Sequence, residues 1–86
     1  MKYDVYADLS RPLTEHERNA VAEALDAWVP DSGCVGRTNW PHDEVYSCVE
    51  ASSAQDARAK ADHYLSIVLQ TAGLEVEYEV SLQFRR

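Results

Sequence analysis

Cysteine is scarce in this sequence. Cys34 and Cys48 are the only two, too few for a disulfide scaffold, and a reducing cytoplasm is the default setting for such a chain. Glycine and proline number three each, which excludes collagen-like and low-complexity architectures. No apolar run approaches the roughly 20 residues that cross a bilayer, so no membrane contact is expected. Asp4 and Asp8 fall where an export signal would need a continuous apolar core, so the expected location is cytoplasmic. Bases are also few: eight stand against fifteen acids, a formal net charge of −7. That balance argues against direct binding to nucleic acid, where neutralising phosphates supplies most of the affinity, and favours a partner with a basic surface.

What is present is an ordinary globular composition, 45% apolar and 27% charged over 86 residues. It predicts one domain with a single apolar layer between sheet and helices. The clearest pattern runs from Ser52 to Phe84. Ala54, Ala57, Ala61, Tyr64, Leu65, Val68 and Ala72 follow the three-four spacing of one helix face. Ser52 or Ser53 caps the start, each with a polar partner three residues on, and Gly73 supplies the left-handed stop with Leu74 folding back. Asp56 with Lys60 and Arg58 with Asp62 have the spacing of helix-surface ion pairs. From Leu74 the period becomes two. Leu74, Val76, Tyr78, Val80, Leu82 and Phe84 then face one way, and Glu75, Glu77, Glu79, Ser81 and Gln83 the other.

Upstream, Tyr3, Val5, Ala7 and Leu9 alternate with Lys2, Asp4, Tyr6 and Asp8, predicting a strand over 2–9. Thr14 and Glu17 have capping-box spacing, and the helix they open buries Val21, Ala24, Leu25 and Trp28 before Pro30 stops it. Residues 34–38 and 44–51 are two further strands around a loop carrying Trp40 and Pro41. A loop symmetric about Pro41 pairs Thr38 with Glu44 and sets Cys34 opposite Cys48. Val45, Val49 and Ala51 then face the core, with Tyr46, Cys48 and Glu50 on the other side.

Strand, helix, strand, strand, helix, strand predicts an α+β fold of ferredoxin-like βαββαβ topology: a four-stranded antiparallel sheet with two helices packed on one face. The resemblance is topological, and this fold hosts too many activities to transfer one. It does predict which side chains share the uncovered face. Asp4, Tyr6 and Asp8 come from the first strand, Tyr46, Cys48 and Glu50 from the third, and Glu75, Glu77 and Glu79 from the fourth. RNA-recognition domains of this topology stack bases on aromatics at the two central strands; here the carboxylates around Tyr6 and Tyr46 would repel phosphate, and the basic, glycine-and-aromatic motif of that family is missing. Glu75, Glu77 and Glu79 also read either as a row of phosphate-like charges or as the charged edge that prevents strands from pairing out of place.

Three chemical readings compete with these. Cys34, His42 and Cys48 are zinc-type ligands, but their spacing matches no zinc pattern and a closed site lacks its fourth ligand. Cys48 or Ser47 could serve as nucleophile with His42 as base and Asp43 as its orienter, the alternative of a small hydrolase or thiol-dependent enzyme. Acylphosphatases share the topology, yet their arginine-bearing glycine-rich loop has no counterpart in Ser10, Arg11 and Pro12. Trp40 reads either as core or as an exposed interface anchor. The reading favoured is a small acidic, non-enzymatic interaction or regulatory module without cofactor. It would bind a basic protein surface, for instance as an inhibitor of phage or host-defence type, or associate as a homodimer, through Asp4, Tyr6, Asp8, Trp40, Tyr46, Glu50, Glu75, Glu77 and Glu79.

Overall fold

The computed structural model describes residues 1–29, 33–37 and 42–85; Pro30, Trp40 and the centre of the predicted loop lie outside them. Six elements follow in the predicted order: β1 (Lys2–Leu9), α1 (Glu15–Trp28), β2 (Cys34–Arg37), β3 (Asp43–Glu50), α2 (Ala54–Thr71) and β4 (Tyr78–Arg85). They form a ferredoxin-like α+β fold whose antiparallel sheet has the order β2-β3-β1-β4.

Local chemistry sets the helix boundaries. Thr14 Oγ1 accepts from the Glu17 amide at 3.1 Å and the Glu17 carboxylate accepts from the Thr14 amide at 2.9 Å, so the capping box is complete. Arg11 donates two hydrogen bonds to Glu17, at 3.0 and 2.8 Å, and with the Thr14 amide they hold that carboxyl at about 2. Ser53 caps α2, accepting from the Asp56 amide at 3.1 Å. At its other end Gly73 has φ +74°, and the Leu74 amide reaches the Leu69 carbonyl at 2.9 Å while the Gly73 amide reaches Gln70 at 3.1 Å. This is the predicted Schellman stop.

The core lies between the helices and one sheet face. Val5, Ala7, Val45, Val21, Leu25, Leu65 and Val68 are fully enclosed, joined by Tyr3, Leu9, Leu13, Val49 and Leu69. Ser47 also faces inward, where its hydroxyl is hydrogen-bonded to that of Tyr64, and burial pushes the Tyr64 phenol up.

Several expectations are corrected. Trp28 is 51% exposed. The chain returning at Gly33 approaches Leu25 and Val29, and Val29 takes the packing position that the periodicity had given to the indole. Phe84 is equally exposed, set edge-on against the Tyr3 ring at 5.4 Å at the rim of the sheet. Ala54, in the first turn of α2, is exposed. Residues 74–77 keep the alternation of exposure but are not strand, because β1 ends at Leu9, opposite Tyr78, and its chain then turns toward α1. One bond, from the Ser10 amide to the Glu77 carbonyl at 2.8 Å, continues beyond that register. Finally, Arg58 donates to the Val80 carbonyl at 3.1 Å. With the Glu77 carbonyl directed at β1, strand alternation turns that of Val80 to the outer edge, so Arg58 occupies an acceptor that a foreign strand would use.

Candidate functional site

The hairpin register differs by two residues from the symmetric expectation. Gly36 pairs with Glu44 and Cys34 with Tyr46, so Cys34 is diagonal to Cys48 rather than opposite it, and neither is in a disulfide. Diagonal neighbours stand roughly 7–8 Å apart, too far for a disulfide without backbone movement.

With the register known, the uncovered face resolves into cross-strand rows. Glu44, Asp8 and Glu79 form one; Cys34, Tyr46, Tyr6 and Ser81 the next; Cys48, Asp4 and Gln83 a third; Glu50, Lys2 and Arg85 the last. The face predicted as broadly acidic therefore has direction. Carboxylates gather where β1 ends, and Lys2 stands where it begins. Glu44, absent from the sequence-derived set, is central to the acidic row; the alternation Glu44, Tyr46, Cys48, Glu50 carried the signal for it.

Three like charges side by side are unfavourable. The structure relieves them locally. Burial, then the hydrogen bond and charge of Asp8, push the Glu44 carboxyl up, and His42 opposes the shift. His42 Nε2 lies 3.5 Å from Asp8 Oδ1. One row away, the Tyr6 and Tyr46 rings are tilted together at 5.3 Å, and the Tyr46 hydroxyl donates to Asp4 at 2.8 Å. At the acidic end, Asp8, Ser10, His42, Glu77 and Glu79 line a cleft. Glu75 is exposed on the connection before it, and Glu50 is at the opposite end, 3.3 Å from the amino-terminal nitrogen.

The raised Glu44 carboxyl fixes a sign. A folded-state value above the ordinary 4.5 means the fold binds more protons than the unfolded chain, so stability falls as pH rises through that window. Glu44→Gln is expected to raise Tm at pH 7, and the gain should vanish below pH 4.5, where wild-type Glu44 is protonated in both states. Thermal melts at the two pH values check this.

The alternative catalytic set is not brought together. Asp43, placed at the loop as an orienter of His42, instead turns inward and is 0% exposed. It accepts from the Leu13 amide at 2.7 Å and from Arg18 Nη2 at 3.1 Å. Arg18 sits at the head of the α1 stripe through Val21 and Leu25, a spacing that could have revealed the pair. Cys48 pairs with Asp4, whereas His42 precedes β3 and contacts Asp8; six extended residues separate histidine from thiol by about 20 Å. Ser47 is on the helix side with Tyr64. Among the described residues, no three histidine, cysteine, aspartate or glutamate side chains group to hold a metal ion, and no helix is long and apolar enough to cross a membrane. No family model and no curated protein matches this chain.

Proposed function

We propose that this chain is a non-enzymatic interaction module whose working surface is the uncovered sheet face, with its acidic end taking a basic group from a protein partner. The observation that carries the reading is the row Glu44, Asp8, Glu79 beside the cleft lined by Glu77 and His42. Its like charges weaken the isolated fold, and a cationic side chain seated among them would relieve them. The tyrosine pair alongside offers rigid, amphipathic contact area of the kind that anchors interfaces.

The sheet edges support the same choice. β2 is a four-residue edge, and Arg58 occupies the Val80 carbonyl on β4, so strand addition is disfavoured on both sides. A phosphate backbone would meet the carboxylates first. An inhibitor that covers a basic groove on its target is one form of this activity.

The test is affinity capture from native extract with wild type and the triple variant Asp8→Asn, Glu44→Gln, Glu79→Gln, at low and high salt. Partners held by wild type at low salt should be lost by the variant, and high salt should release them from wild type. Retention of every partner by a folded triple variant would overturn the reading.

A further inference from the structure

We infer that the partner whose basic surface this face fits is a second copy of the same chain, packed face to face with its strands reversed. The inference rests on the uncovered face being the working surface, and it names what occupies it. Lys2 and Asp8 lie on that face of β1, six residues and therefore about 20 Å apart. Both are accessible: Lys2 is exposed and the Asp8 side chain is 42% exposed. Asp8 has a like-charged neighbour in register on β4, Glu79.

Symmetry then selects one arrangement. Two identical sheets facing each other about 10 Å apart can be related by a two-fold axis lying between them, either along the strands or across them. An axis along the strands sets the acidic row on the acidic row of the other copy. An axis across the strands keeps β1 over β1 and β4 over β4 but exchanges their ends. Asp8 then faces Lys2 of the second copy, and the contact occurs twice. The axis passes near the midpoint of Lys2 and Asp8, so the Tyr6 and Tyr46 pairs of both copies flank it at the centre, where aromatic area contributes most. Glu44 and Glu50 are the mismatch of this arrangement, moderated at Glu50 by the amino-terminal nitrogen 3.3 Å away. The net charge of −7 on each copy opposes association at low ionic strength. At 0.15 M salt, screening over about 8 Å removes most of that long-range repulsion and leaves the contact pairs.

Sedimentation equilibrium at 0.15 M salt, from micromolar to millimolar protein, tests the inference by a charge exchange. Wild type is expected to show a monomer–dimer equilibrium. Asp8→Lys and Lys2→Asp should each weaken it at least 10-fold, because each sets like charges against one another twice. Their equimolar mixture should dimerise again, since the substituted lysine faces the substituted aspartate at one end and the native pair remains at the other. Circular dichroism verifies that each variant is folded; should Asp8→Lys fail, Asp8→Asn and Lys2→Gln each remove the attraction without reversing it and should each weaken the dimer by a smaller factor. A monomeric wild type across the range overturns the inference, as does a mixture that stays monomeric while wild type dimerises. Either result leaves the proposal of a basic partner to be decided by the capture experiment with the triple variant.

Discussion

Asp43→Ala is expected to lose about 3–5 kcal/mol of stability, the magnitude typical of breaking a buried ion pair from one side. The carboxylate is wholly enclosed and holds the Leu13 amide and the Arg18 guanidinium together. Alanine takes this acceptor from the Leu13 amide and leaves Arg18 Nη2 its bond to the Leu13 carbonyl at 3.2 Å, and among the described residues Arg18 Nε is already buried without a partner. A domain of this size has roughly 5–15 kcal/mol in total, so the loss approaches its whole stability at the low end. In a urea titration the midpoint should fall while the slope stays constant. Replacing the pair together, with Arg18→Met and Asp43→Leu, should recover much of the loss, because an apolar pair avoids the cost of stripping water from two charges. A single-variant loss below about 1 kcal/mol would show that the pair does not hold the β1–α1 connection to β3.

Leu65→Ala should cost about 2–5 kcal/mol, the range for emptying a leucine-sized volume in a packed core. Leu65 is 0% exposed at the centre of the α2 stripe. Trp28→Ala, by contrast, should cost less than about 1 kcal/mol, although tryptophan is the larger side chain. Half of its surface is already in water. The two variants measured in the same denaturant series give a ranking, and a larger loss for Trp28 would mean that the indole packs against the body of the protein.

That contrast shows where periodicity stops informing. Positions 21, 25 and 28 belong to one helical stripe, but only the path of the returning chain at Gly33 decides that Val29 rather than Trp28 is covered. The caps at Thr14 and Gly73 were legible because their chemistry is local: a hydroxyl, a carboxylate three residues on, a backbone that tolerates positive φ. Strand faces were legible for the same reason. The hairpin register was not, since a slip of two residues leaves every side chain on its own face and the apolar pattern cannot distinguish the alternatives. The candidate site inherits this limit. Alternation identified Asp4, Tyr6, Asp8, Tyr46 and Glu79 as sharing a face, but their order into an acidic end and a basic end depends on pairings between segments far apart in the chain. The start of β4 depended likewise on where β1 runs out. Asp43 was assigned to a loop and to His42, because a charged residue opening a strand reads as a turn until Arg18 is seen across from it.

The position of β1 between β3 and β4 also bears on how the protein is made. β1 leaves the ribosome before both of its neighbours in the sheet, and one of them ends at Arg85. Until Tyr78–Arg85 has emerged, one side of β1 offers its amides and carbonyls to any strand that passes, including one from a neighbouring nascent chain. Sheet completion is therefore a long-range event that waits for β4, and the Arg58 guard on the outer strand has nothing to protect until that moment.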